Sequence, residues 1–454
     1  MYKLYLYKAA LFAFGTAMLT LGIVIVSQRE VLITPLAFFA GWVLIIHGAR
    51  NMAGFIARGG RLGQKRKEAK LITAIMNLLL GVGIMVLPEL SFTLAAYVLA
   101  AYLLFNAASK LADFIVAKLD HQSGHFTDLI AFAFYMVFVV LLFRTDLRND
   151  MFLIISGVYC ILFGAEMISD FITLIIPQRI KNDMKRRIRI SPPVYVSTFM
   201  PLGTLRYINE YISLNDELPE FKGDDRGDGF PPDIEIMVHV SNNGSGKVGH
   251  LDLYFGGEVI SYGNHDHSSH RLFGVFGDGV MFTTPDKETY LDFSVTHDRQ
   301  IVFSYGLRLT PEQLEQVSSE VQRLKNDTLP WKPPYQRACE EKGEENVKLS
   351  DYHDYCSELW NGTHADFHKF GKGKFKTYSI LSTNCVLLTD EILGKAGTDI
   401  VCIGGIASPG IYYDYLERLY MTHKTMVISK TIYDRKTMRK LKKERTNQNE
   451  RSVS

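Results

Sequence analysis

Five cysteines are few for a chain of 454 residues, and they are scattered. Cys160 lies in an apolar run, and Cys339, Cys356, Cys385 and Cys402 follow without CxxC or Cys/His spacing. That distribution argues against a zinc ribbon and suits a reducing compartment. Net charge is almost lacking too, at +2, which excludes the broad basic field of a nucleic-acid binder. A phosphate loop is missing, since residues 244–247 (GSGK) carry only a fragment of that pattern. The first apolar run continues into a second without a small-residue cleavage site, so it is expected not to be a removable leader.

What is present falls into two regimes. Up to about residue 178 the chain is dominated by apolar runs, at 8–27, 31–49, 71–87, 91–116, 128–143 and 151–176. Each is about the length of a helix that crosses a hydrocarbon core. They form three copies of one hairpin. Leu21 and Gly22 recur as Leu80 and Gly81, and the ends of the even-numbered runs match at 50–55, 109–114 and 166–171. Small residues before those ends (Gly48, Ala107, Ala108, Gly164) allow close helix packing. The pattern resembles the HdeD-like membrane family, which implies six helices built from repeated hairpins and no defined biochemical role.

Charge predicts the orientation. Arg58, Arg61, Lys65, Arg66, Lys67 and Lys70 follow the second run, and Arg179, Lys181, Lys185, Arg186, Arg187 and Arg189 follow the sixth. The alternate loops are short and mixed in sign. The positive-inside rule therefore puts both termini and the soluble half in the cytoplasm of a bacterial-type cell membrane. Lys110, Asp113, Glu166 and Asp170 fall near the ends of even runs. They read as an ion path or, more simply, as helix ends reaching the interface.

Beyond the basic segment, residues 191–232 read as an irregular linker rich in Pro, Gly and Asp. Strands are expected at 234–240, 248–255, 258–262, 279–284, 290–295 and 300–307, with a tight turn at Gly256 and Gly257. Thr310, Pro311 and Gln313 announce a capped helix. Residues 330–376 lack a clear period and read as an insertion. A helix at Cys385, a short strand at 399–403, a helix from Pro409 and a basic tail at 435–445 close the chain.

One stretch points to chemistry. Ser382, Thr383 and Asn384 are all capping residues, and they deliver Cys385 into the first turn of an apolar helix. A thiol there meets free N–H groups that favour thiolate and can hold an oxyanion. A base is available in His250, which begins a strand after a Gly-rich turn. Alternation puts Asp252 and Tyr254 on the face of His250. The hairpin turn places His250 opposite Gly263 or Asn264, so Asn264, His265 or Tyr262 is the candidate to orient the imidazole. Taken alone, a cysteine near a helix start is usually a small buried residue, and a histidine opening a strand is usually just hydrogen-bonded. Their combination and order favour a pair. Cys402, in a buried-strand pattern, is expected to be inert.

The order of these motifs, a GlyHis strand first and an AsnCys helix much later, resembles the circularly permuted papain-like superfamily. That group includes lecithin:retinol acyltransferase-like enzymes and PPPDE-type isopeptidases. The resemblance implies Cys385 as nucleophile and His250 as base. Tyr262 stands where the acyltransferases have a second histidine, so the third member stays open among Asn264, His265 and Tyr262. Asn384 is the expected oxyanion donor.

The fold expected is thus an all-α six-helix transmembrane bundle over 1–178, a basic linker over 179–232, an α+β permuted papain-like domain over 233–430 and a basic tail over 431–454. The expected function is a membrane-anchored thiol hydrolase or acyltransferase that needs no cofactor, binds no nucleic acid, and acts on a membrane-associated lipid or protein. Two alternatives stand beside it. One is a non-catalytic sensor or scaffold with a papain-like binding domain. The other is a metal-dependent hydrolase built on His265, His267 and His270 with Asp266. His364 and His368, four apart, read as a solvated loop.

Overall fold

A computed structural model describes residues 2–58, 64–119, 126–144, 148–175, 187–190, 231–241, 249–272, 274–380, 383–395, 400–403, 409–421 and 426–441. The basic segment before residue 187, most of the expected linker, the GSGK stretch, Ser382 and the tail beyond residue 441 lie outside the described residues, as does the side chain of Cys402. The chain divides into two compact units. One comprises residues 5–114 and 124–172, and the other comprises 1–4, 115–123 and 173–454.

The first unit is helical: α1 (Tyr2–Ser27), α2 (Arg29–Arg58), α3 (Gln64–Val86), α4 (Pro88–Leu119), α5 (Phe126–Phe143) and α6 (Arg148–Ile175). Among the described residues, four stretches are long and apolar enough to cross a membrane, at Val31–Ile56, Pro88–Lys118, Phe126–Phe143 and Arg148–Ser169. The apolar parts of α1 and α3, Phe12–Ser27 and Leu71–Val86, are shorter. This is a membrane protein with several candidate spans, whose surroundings are a lipid bilayer. The repeated small residues sit where helices touch. A Cβ on Gly22 would meet the Gly157 carbonyl of α6 at 2.5 Å, and one on Gly81 would meet the Gly41 carbonyl of α2 at 2.8 Å. The charges at the helix ends also find each other, with Lys110 Nζ 3.1 Å from both Asp113 on α4 and Asp128 on α5.

The second unit is built on an eight-stranded antiparallel sheet. After β1 (Arg187–Ile190) come β2 (Ile234–Val240), β3 (His250–Phe255), β4 (Glu258–Gly263), β5 (Phe276–Asp278), β6 (Val280–Thr284), α7 (Lys287–Asp292), β7 (Ile301–Leu307), α8 (Pro311–Asn326) and β8 (Thr328–Pro330). There follow α9 (Pro334–Lys342), α10 (Tyr355–Thr363), β9 (Asp366–Phe370), β10 (Thr377–Ser379), α11 (Cys385–Gly394), β11 (Ile400–Ile403), α12 (Pro409–Met421) and β12 (Val427–Tyr433). The main sheet runs β12-β7-β2-β3-β4-β6-β9-β8, while β5 pairs with β10 and β1 pairs in parallel with β11.

Alternation along the strands gives the sheet two apolar faces. Ile236, Val238, Leu251, Leu253 and Phe303 pack with Val317 of α8, Leu388 of α11 and Leu416 of α12. Met237, Val259, Phe282 and Val302 pack on the other face with Tyr290 of α7 and Cys356 and Leu359 of α10. The hairpin turn is as the sequence indicates. Gly256 (φ 61°) and Gly257 (φ 87°) both adopt the left-handed region, and Phe255 faces Glu258 with Asp252 facing Ser261. The Thr310–Gln313 capping box is also formed.

Three expectations are corrected. The run 290–295 is helical, not a strand. Asp286 caps α7 by accepting from the Glu288 and Thr289 N–H groups, and a π turn continues over Phe293–His297. Tyr290, Leu291, Phe293 and Val295 are all buried, and a short, fully apolar run does not distinguish helix from strand. The supposed insertion at 330–376 contains α9, α10 and β9, and β9 completes the sheet beside β6. Within it, His364 ends α10 in the left-handed conformation, while His368 lies on β9 opposite Met281. Finally, β12 runs through the expected boundary at 430 and pairs with β7, and Met438 of the expected tail is buried on the second face.

Candidate active site

Two glycines and a cap set the positions. Gly249, at φ 86°, turns the chain into β3, and a Cβ there would meet Pro409 at 3.0 Å and the His239 carbonyl at 3.1 Å. A side chain other than hydrogen is therefore excluded just before His250. Asn384 is the N-cap of α11, its Oδ1 accepting from the Leu387 N–H at 3.1 Å. Its Nδ2 donates to the Ile380 carbonyl at 3.1 Å. The first intrahelical bond is Leu388 N–H to Asn384 C=O, which leaves the Cys385 and Val386 N–H groups ahead of the ladder.

The fold brings Cys385 to His250. The Cys385 sulfur is one of the two groups whose charge acts on the His250 ring, and Tyr378 is the other titratable group beside that sulfur. His250 Nε2 is 2.9 Å from Asp252 Oδ1 and 3.0 Å from Ser261 Oγ. Burial works against charging this ring, but the Asp252 carboxylate and then the Cys385 sulfur outweigh it and hold the imidazole pKa well above its usual value. Burial likewise opposes the charged form of Asp252, yet His250 and His239 hold its carboxyl well below the usual range. Tyr378 is pushed up by burial and by the adjacent sulfur. The His250 side chain keeps 26% of its exposure, whereas Cys385 keeps 4%, so the site opens on the imidazole side.

The carboxylate beside the His250 ring is Asp252, at 2.9 Å, while the three candidates from the far side of the hairpin sit as follows. Tyr262 points to the opposite face, where its hydroxyl donates to the Phe375 carbonyl at 3.0 Å. Asn264 donates to the Gly274 carbonyl at 3.0 Å. His265 lies near His250, with ring centres 6.3 Å apart, but stacks on Tyr355 at 5.4 Å. Burial and the charge of His250 push its pKa down to about 3, so it stays neutral beside a charged ring. Asn384 holds the helix start through both of its side-chain bonds.

Nor does the histidine loop converge. His267 and His270 approach each other, with ring centres 4.8 Å apart, while His265 turns inward and Asp266 pairs with Lys369 at 2.5 Å. Among the described residues, no group of three or more His, Cys, Asp or Glu side chains is arranged to hold a metal.

Asp252, Ser261, His239 and Tyr290 complete the polar cluster. Asp252 is signalled in the sequence by its place two residues after His250, and Ser261 by the hairpin register. His239 and Tyr290 carry no local signal.

Residues 72–144 match a family described as "Short repeat of unknown function (DUF308)". The matched stretch covers the apolar part of α3, all of α4 and all of α5. With the apolar helices around it, the match fits a membrane domain of the HdeD-like kind. Comparison with curated proteins and with solved structures returns no match.

Proposed function

We propose that this protein is a membrane-anchored cysteine hydrolase or acyltransferase. In this reading six helices anchor a permuted papain-like domain at the cytosolic face, and the basic residues after α2 and α6 set that orientation. The observation that carries the proposal is the placement of His250 between the Cys385 sulfur and the buried Asp252 carboxylate.

The chemistry follows from that placement. Nε2 of His250 is engaged by Asp252 and Ser261, so Nδ1 is the nitrogen left for the thiol. His250 takes the proton of Cys385, and the thiolate attacks the carbonyl carbon of an amide, ester or thioester. The first-turn N–H groups of α11 stabilise the oxyanion. As the tetrahedral species collapses, the imidazolium gives its proton to the leaving amine, alcohol or thiol, and an acyl-thioester remains on Cys385. Water or an acceptor hydroxyl or amine then attacks the acyl carbon, losing its proton to His250 and releasing the thiol. A substrate associated with the inner leaflet suits an enzyme tethered there.

Full-length protein in detergent, given a p-nitrophenyl acyl ester, is expected to release nitrophenolate and carry the acyl mass on the Cys385 peptide. Cys385→Ala loses both signals, and a chelator leaves them unchanged. Wild-type protein that never acylates at Cys385 under these conditions contradicts the proposal. The second reading, a binding scaffold, is favoured by the low exposure of the thiol, 4%. It predicts no acyl adduct and no preference for Cys385 among the thiols.

A further inference from the structure

Behind the proposed pair lies a second histidine that the reaction above does not use. His239, on β2, sits directly across the ladder from His250 and is 2% exposed. Its Nε2 is 2.8 Å from Asp252 Oδ2, and its Nδ1 is 2.8 Å from Gln300 Oε1. The Tyr290 hydroxyl of α7 donates to the same Oδ2. The two oxygens of Asp252 thus divide their work, Oδ1 facing His250 and Oδ2 facing His239 and Tyr290. The side chain is wholly enclosed, and its face of the sheet is otherwise lined by Met237, Val259, Phe282 and Val302.

A carboxylate at such a place needs donors. Without them an enclosed acid takes up a proton or turns its oxygens elsewhere. Nor is His239 ordinary core filling: Nδ1 bonds Gln300 Oε1, and Nε2 lies in ionic contact with Asp252 Oδ2 at 2.8 Å, outside hydrogen-bond geometry. We propose that His239 and Tyr290 are positioning residues, which hold Asp252 ionised and aimed so that it in turn holds the His250 ring for Cys385. The inference rests on the thiol reading above. The groups that face His239 are Asp252 and His250 from β3, Tyr290 from α7, and Asp298 with Gln300 from the turn before β7.

The test is the pH profile of Cys385 alkylation by iodoacetamide in the full-length protein, followed on the Cys385 peptide. Loss of either partner, the Tyr290 hydroxyl or the His239 ring, weakens the carboxylate that favours the imidazolium, so the acid limb of the profile moves to higher pH. In both His239→Phe and Tyr290→Phe a shift of about one pH unit is expected, a tenfold change in rate on that limb. His239→Gln, which restores an N–H donor, brings the limb back toward wild type. Tyr290→Phe removes a single oxygen and keeps the test in force should His239→Phe not fold. Unshifted profiles in the folded variants, with His250→Ala still steepening the profile, overturn the positioning role and leave the thiol reading intact. A wild-type profile like that of an ordinary thiol, unaltered in His250→Ala, overturns both together.

Discussion

Replacing His250 with alanine will turn a nearly flat pH dependence of Cys385 alkylation into one that rises about tenfold per pH unit from about pH 5 to about pH 8. The thiolate is the attacking species. Below its pKa an unassisted thiol gains thiolate in direct proportion to falling proton concentration. With a pKa of about 8.5, roughly one thiol in 3,000 is ionised at about pH 5. A thiol that hands its proton to a neighbouring imidazole escapes that limit, but a less basic thiolate is also less nucleophilic. Nucleophilicity falls with basicity with a Brønsted coefficient of about 0.4–0.5, which offsets part of that advantage. The deficit of His250→Ala is therefore largest at the acid end and shrinks as pH rises. The slope is the decisive quantity, because a merely altered thiol exposure changes the rate equally at every pH. Rapid labelling that stays flat without the imidazole contradicts the pairing.

Asp252→Ala carries the largest expected effect on stability. The change strands His239, His250 and the Tyr290 hydroxyl around an enclosed space, and breaking a buried ionic cluster by removing one partner costs about 3–5 kcal/mol. For a unit of this size each kcal/mol lowers the midpoint by about 2–4 °C, so a drop of roughly 6–20 °C is expected in the second-unit transition of a thermal melt. Asp278→Ala serves as the contrast. Asp278 also pairs with a cation, Lys369 at 2.7 Å, but is 42% exposed, and such pairs are worth less than about 1 kcal/mol.

The pH dependence of that stability follows from the direction of each shift. The depressed Asp252 carboxyl stabilises fully above the usual carboxylate range and loses its contribution as pH falls toward its lowered value. The raised His250 contributes fully below the usual imidazole range and loses its contribution as pH climbs to the raised value. Wild type therefore has its plateau between those two usual ranges, and Asp252→Ala flattens both flanks. Equal midpoints for Asp252→Ala and Asp278→Ala contradict the account of the buried cluster.

Much of the site was legible because it lies in short, regular pieces of chain. The cap at Asn384 placed Cys385 in the first turn, and the paired glycines fixed the hairpin register. Asp252 was on the page as a residue sharing the face of His250, while the candidates for an orienting group were taken from across the hairpin. Cross-strand and same-strand neighbours are both within reach of an imidazole, and only coordinates show which way the ring leans. His239 and Tyr290 depend on β2 lying beside β3 and on α7 covering that face. Those are long-range facts with no local signature. The failure at 290–295 has a related cause, since burial on all sides erases the period that separates a strand from a helix. In the membrane unit the repeat was plain in its small residues, because close approach of helix backbones tolerates little else, as at Gly22 against Gly157.

The most direct measurement is a pH titration of thiolate ultraviolet absorbance on folded full-length protein that keeps Cys385 as its one cysteine. The account predicts that the thiolate signal appears at lower pH in the wild type than in His250→Ala. A thiolate onset that does not move when His250 is removed contradicts it.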